Sequence, residues 1–246
     1  MTGLHLVSIA MDARAFDAFA ISTGNDDDDR GYATHLALRQ RFGTAGPQPF
    51  KLMAEDPSRL HVLGYTSESQ ALLDMAALPA TNPLLDDVFA TPPRIKSMPE
   101  TWTIGSRYAF EVKVRPIVRY GNRTLERRRA EGKHPARERD AFLAAIEGLP
   151  ETAGIVRGDV YTSWLTERFK DIAPVSKSEI LTMRQVRTRR SPHGNGKHSS
   201  IEGYEAVFKG ELTIENPEEF TTLLQRGVGR HATFGYGMLL LRPPRP

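Results

Sequence analysis

From Leu4 to Met11 apolar and polar residues alternate, the period of a strand with one buried face. Asp12 to Ile21 follows as a turn or short helix. Gly31 to Phe42 sets Leu36, Leu38 and Phe42 among polar residues and predicts a helix that stops at Gly43. Pro49 to Ala54 and Arg59 to Tyr65 read as two strands around the turn dipeptide Asp56-Pro57. Ser67 to Leu78 predicts a second helix, capped by Ser67 and ended by Pro79. Tyr108 to Val118 places Phe110, Val112 and Val114 on one face of a further strand. The order strand, helix, strand, strand, helix, strand is the ferredoxin-like pattern.

The second half repeats it. A helix is expected from Arg137 to Glu147 within a basic connection, and another from Tyr161 to Phe169. Ser178 to Arg189 and Tyr204 to Ile214 read as strands, the latter with a bulge near Gly210. Asn216 opens a helix to Gln225 with Pro217 at its first position. Met238 to Leu241 is a last apolar strand. The expected fold class is α+β, two tandem ferredoxin-like domains over 1–120 and 156–246, joined by a basic segment over 121–155. A chain of 246 residues is long enough for two small cores.

Composition narrows the chemistry. With no cysteine, disulfides, thiolate zinc sites and cysteine nucleophiles are excluded. No apolar run approaches the length of a membrane span, and Met1 to Ala10 has no signal-peptide pattern. No membrane partner is therefore expected, and a cytoplasmic location is. The net charge of +3 says little, but its distribution says more. Asp26 to Asp29 is an acidic run that reads as a solvated loop. From Arg119 to Arg139 eight Lys or Arg stand against three Glu, and from Arg184 to His198 five Lys or Arg and two His stand with no acid. Such clusters suit a polyanion; the alternative is solubilising surface.

The strongest motif runs from Gly227 to Gly237, Gly-Val-Gly-Arg-His-Ala-Thr-Phe-Gly-Tyr-Gly, between a helix and an apolar strand. Glycine lets peptide N–H groups converge on an anion, and Arg230 adds charge. Tight helix-to-strand turns also use glycine. The dinucleotide fingerprint does not fit, because its glycines precede a helix. With Phe208 to Ile214 and Asn216 to Phe220, this loop resembles the C-terminal end of the CRISPR repeat-RNA endoribonucleases of the CasE type, from type I-E Cascade. Tyr32 to Leu36, Pro49-Phe50, Arg107 to Phe110, Arg115-Pro116 and Trp164-Leu165 extend the resemblance more weakly. The chain is also similar to the repeat-RNA nuclease of type IV CRISPR systems. The stretch Thr124 to Glu147 matches neither.

RNA can be cut when its own 2′-hydroxyl attacks the adjacent phosphate. The protein must then move two protons and stabilise a charged phosphorane, for which histidine, tyrosine and arginine are suited. Tyr32 and His35 stand three residues apart on a predicted helix and share a face. The resemblance implies that His35 is the catalytic residue and that Tyr32 assists. Without it, a packing or capping histidine is the ordinary reading. Arg39 shares the His35 face and is placed for the scissile phosphate, while Arg41 reads as solvated. His193 and His198 flank a Gly-Asn-Gly stretch and read as filler or weak phosphate contacts; His5, His61 and His134 form no pattern. No histidine stands in a metal-ligand motif, so neither metal nor cofactor is expected.

Arg127, Arg128, Arg129 and Arg137 are expected to form a helical arm on RNA. Arg187 and Arg189 should point to one face of a strand, with Arg184 and Arg190 on the other. Gly227, Gly229, Arg230, His231, Gly235 and Gly237 are the expected loop contacts. The resemblance implies a partner, the CRISPR repeat hairpin as precursor and as mature guide RNA, and retention with other subunits in an effector complex. A non-catalytic guide-RNA-binding subunit of the same fold is the alternative. A small-molecule enzyme on this fold is disfavoured by the lack of paired acids near apolar motifs.

Overall fold

A computed structural model describes residues 3–24, 30–76, 82–133, 136–150, 154–190 and 199–243. The chain opens with β1 (His5–Asp12), whose Val7, Ile9 and Met11 are buried on one face. Asp12 then caps α1 (Ala13–Ser22), accepting a hydrogen bond from the Ala15 N–H at 2.8 Å. After α2 (Gly31–Phe42) come β2 (Phe50–Asp56) and β3 (Arg59–Thr66), then α3 (Gln70–Ala76), α4 (Leu84–Val88) and β4 (Arg94–Ser97). The strands pair antiparallel in the order β2-β3-β1-β4. Phe16, Phe19, Leu38, Phe42, Phe50 and Val62 fill the core beneath them.

The second unit runs β5 (Arg107–Val114), β6 (Ile117–Arg119), α5 (Asn122–Ala130), β7 (Glu138–Asp140), α6 (Ala141–Ala145), α7 (Arg157–Phe169), β8 (Val175–Arg190), β9 (Ser199–Thr213), α8 (Pro217–Arg226) and β10 (Leu239–Arg242). Its sheet has the order β10-β5-β9-β8 with antiparallel neighbours. Both sheets thus place the first and third strands of a βαββαβ unit at the centre, the ferredoxin-like arrangement. Phe110, Val112, Trp164, Phe169, Phe208 and Phe220 are buried in the second core. The two units are joined by more than the chain. The buried Tyr65 hydroxyl donates to the Leu239 carbonyl at 2.8 Å, and Lys51 pairs with Glu111.

Several elements differ from the sequence expectations. The strand at Tyr108 is not the fourth of the first sheet. It opens the second, and the short β4 takes the expected place against β1. The sheets therefore divide the chain between Ser97 and Arg107, earlier than residue 120. Pro116, which has no N–H to donate, ends the ladder and separates β5 from β6. The helix expected from Ser67 starts at Gln70, where the Ser69 hydroxyl accepts from the Leu72 N–H at 3.3 Å.

The expected helix from Arg137 to Glu147 is β7 followed by α6. Asp140 caps α6, accepting from the N–H groups of Phe142 and Leu143, so the residues before it are released to pair with β6. Gly210 carries no bulge; the register shifts lie on β8, at Val175/Lys177 and Ile180/Thr182. Glycine is needed at 210 because a Cβ there would lie 2.3 Å from the Lys177 carbonyl oxygen. The cap at Asn216 stands as expected, its side chain accepting from the Glu219 N–H at 3.1 Å. Asp26 to Asp29, His134, His193 and His198 lie outside the described residues.

Candidate active site and nucleic-acid interface

α2 has two faces. Ala33, Thr34, Ala37, Leu38 and Phe42 are buried in the first core. Tyr32, His35 and Arg39, spaced three and four apart, share the opposite face. That face meets the glycine-rich loop of the second unit. Phe234, at the end of a 3-10 turn (Ala232–Phe234), sets its ring edge-on to the His35 ring at 5.6 Å between centroids. The same ring lies 5.8 Å from Tyr32 and 6.1 Å from His231. A Tyr–His pair from one unit and a loop from the other therefore close on a single aromatic side chain.

The loop's geometry explains its glycines. Gly229 has φ +81°, and a Cβ there would lie 2.9 Å from the Trp164 ring. That ring cannot retreat, because its Nε1–H donates to the Ile117 carbonyl at 2.9 Å. Gly237 has φ +78° and sits against the backbone of Val228, whose N–H donates to the Gly237 carbonyl at 2.8 Å. The Gly237 N–H donates in turn to the Lys113 carbonyl at 2.7 Å. Gly227 and Gly235 close on Pro49 and Phe50 of the first unit. These four glycines are shown in tight turn and packing roles, and Gly229 is exposed on the surface.

Glu138 of β7 ties the loop to the basic segment. It accepts from the Arg230 Nε at 2.8 Å, and its second carboxylate oxygen lies 3.3 Å from His231 Nε2. A second anchor is the buried Glu205, which takes Lys113 and the Tyr236 hydroxyl at 2.8 Å and Arg184 at 2.7 Å. Burial alone would raise the Glu205 carboxyl, but the Lys113 charge and the three donors outweigh it and hold it below the usual carboxylate range. Phe234, Glu138, Lys113, Glu205 and Tyr236 were not singled out from sequence. Phe234 had a signal, as an aromatic inside a polar glycine-rich loop. Glu138 had none, standing 92 residues from Arg230.

His35 is half-buried. Its pKa lies below the ordinary value of 6.5, first because burial disfavours the imidazolium and second because the Arg39 guanidinium is close. It is neutral at neutral pH, the state of a proton acceptor. Beside it opens a cleft walled by Arg39 and by the loops after α2 and β3. Among the described residues no cluster of three or more His, Asp or Glu is placed to hold a metal ion. No described helix is long and apolar enough to cross a membrane.

The basic residues separate into two kinds. Arg127, Arg129 and Arg137 are exposed, Arg127 near Glu131 at 3.8 Å and Arg137 donating to the Asn122 side chain at 3.2 Å. Arg187 is exposed and pairs across the hairpin with Glu202. Arg184 likewise pairs with Glu205 on the other face. The side chains of Arg189 and Arg190 lie outside the described residues. Arg128 is a correction. It is buried, its guanidinium forks onto Glu147 at 2.5 and 3.0 Å and lies 4.7 Å from the Tyr120 ring, so the side chain holds the basic segment together and presents nothing to RNA. Arg41 is likewise not solvated but paired with Asp86.

A family model described as CRISPR associated protein matches residues 4–243. No curated protein sequence matches the chain. Among solved structures, the CRISPR-associated protein Cas6e from Escherichia coli str. K-12 is 19% identical, with 98% of this chain and 100% of that one covered and a TM-score of 0.55. Thermus thermophilus Cse3, bound to an RNA representing a pre-cleavage complex, is 18% identical over 98% and 100% of the two chains, with a TM-score of 0.56. A chain of a CRISPR RNA-guided surveillance complex is 17% identical over 98% and 100%, with a TM-score of 0.55. At these identities the likeness is one of fold.

Proposed function

The chain belongs to the CRISPR-associated protein family, and from that premise we propose that it is a metal-independent endoribonuclease cutting CRISPR precursor RNA at the base of the repeat hairpin. The observation that carries this reading is the meeting of Tyr32 and His35 with Phe234 and His231 of the glycine-rich loop. His35, held neutral, accepts the proton of the RNA 2′-hydroxyl as that oxygen attacks phosphorus. The bond from phosphorus to the 5′-oxygen breaks. Tyr32 donates to the departing oxygen, and the Arg39 guanidinium stabilises the phosphorane. The products are a 2′,3′-cyclic phosphate and a 5′-hydroxyl.

Exposed Arg127, Arg129, Arg137, Arg187 and Arg230 supply phosphate contacts. A-form RNA has a deep, narrow major groove, so such binding goes mainly through the backbone and shape. The cut guide RNA stays bound, and the chain joins an effector complex in the cytoplasm. The test is incubation with cognate repeat RNA in EDTA, beside the same RNA carrying a 2′-deoxy sugar at the cut. The expected result is cutting of the parent to a cyclic phosphate and binding without cutting of the deoxy RNA. Cutting that needs magnesium, or efficient cutting of the deoxy RNA, refutes the mechanism. Binding without cutting of the parent would make the chain a guide-RNA holder only.

A further inference from the structure

The cleft beside His35 has a polarity that proton transfer does not use. It measures about 180 Å³, roughly the room of six waters and a fit for one flat heterocycle. His35 and Arg39 of α2, cationic or proton-transferring, line it together with Gln48, Ser67 and Glu68 from the loops that follow α2 and β3. Gln48 and Ser67 are exposed and Glu68 is half-buried. The Glu68 backbone N–H donates to the Thr66 hydroxyl at 3.1 Å, which in turn donates to the Ala45 carbonyl at 3.3 Å, so the turn carrying the carboxylate is tied to the loop after α2.

A carboxylate is out of place where only phosphates are bound, because like charges repel. It fits where the polyanion turns a base edge inward. We infer that this cleft is a nucleotide subsite that takes the base next to the scissile phosphate, and that Glu68 and Gln48 select guanine there. The inference rests on the reading of the chain as a repeat-RNA nuclease. The chemistry is one of matching donors. A carboxylate offers two adjacent acceptors, and guanine alone presents two adjacent donors, N1–H and the N2 amino group. Adenine and cytosine present a single exocyclic amine beside an acceptor, and uracil presents one N–H between two carbonyls. The Gln48 amide supplies the donor that guanine O6 requires. Arg39 and His35 then lie on the phosphate side of the same nucleotide.

The experiment uses the full chain and its own repeat RNA. All four bases are placed in turn at each of the two nucleotides flanking the 3′ foot of the hairpin. Single-turnover cutting and affinity are measured for the wild type, Glu68→Gln and Gln48→Ala. The expected result is a guanine preference of roughly 10-fold or more at one of the two positions. Glu68→Gln should flatten it to within about threefold, because an amide replaces one acceptor by a donor. Gln48→Ala should weaken it in a protein that melts as the wild type does. No guanine preference at either position, or one that survives both substitutions, overturns the subsite. If the wild type binds every RNA and cuts none, the nuclease reading fails on its own, and the subsite is decided by the same base preference in affinity.

Discussion

Replacing Gly237 by alanine asks whether the glycine-rich loop owes its shape to backbone geometry. The residue has φ +78°, a conformation that costs an L side chain about 1–2 kcal/mol. The new Cβ would also lie 2.6 Å from the Val228 carbonyl oxygen and 3.0 Å from the Val228 nitrogen, both backbone atoms that no rotamer change can move. Relief requires the loop to open, at the expense of the hydrogen bonds from Val228 to Gly237 and from Gly237 to Lys113. Overpacking of this kind costs about 1–3 kcal/mol, so the sum is about 2–5 kcal/mol. Gly148→Ala is the control, because Gly148 has φ +84° and nothing within 4 Å of the added carbon.

Urea denaturation followed by circular dichroism measures both. Gly237→Ala should lower the midpoint by roughly 1 M or more and Gly148→Ala by less, with unchanged slopes. RNA cutting by Gly237→Ala should fall as well, since the same loop sets Phe234 against His35. If the two variants lose the same stability, the contact with Val228 is worth nothing, and the account of the loop is wrong.

His35→Ala should lose roughly 10²–10⁴ in cutting rate while binding repeat RNA as before, measured by single-turnover kinetics and filter binding; wild-type rates would remove His35 from the site. A general base works when neutral, so the rate falls as pH drops through the His35 pKa, which lies below 6.5. Arg39→Ala removes one of the two causes of that lowering and should move the acid limb of the pH–rate profile to higher pH; a limb that stays or moves lower refutes the coupling. Arg127→Ala and Arg129→Ala should each weaken RNA binding and reduce its salt slope by about 1, without changing the melting temperature. Arg128→Ala should lower the melting temperature, because it removes both hydrogen bonds from the guanidinium to Glu147 and leaves that carboxylate with the longer Arg139 pair at 3.5 Å.

Local pattern carried a good part of this protein. The alternation from Leu4 to Met11, the Asn216-Pro217 helix start and the apolar end at Met238 all became elements close to where they were read, because period and capping act over a few residues. Tyr32, His35 and Arg39 share a helix face for the same reason. Membership of a sheet is a different matter. The strand at Tyr108 has the same alternation whichever sheet it joins, and only pairing with β9 and β10 decided it. Nor does charge along the chain say which arginines meet solvent. Arg127, Arg128 and Arg129 are consecutive, yet helical rotation turns only the middle one inward to Glu147. The candidate site was likewise half visible, since Phe234 reaches His35 only when the two units close on each other, and Glu138 reaches His231 only when the second unit folds β7 against the loop. Long-range contacts depend on how whole faces pack, and no window of sequence contains both partners.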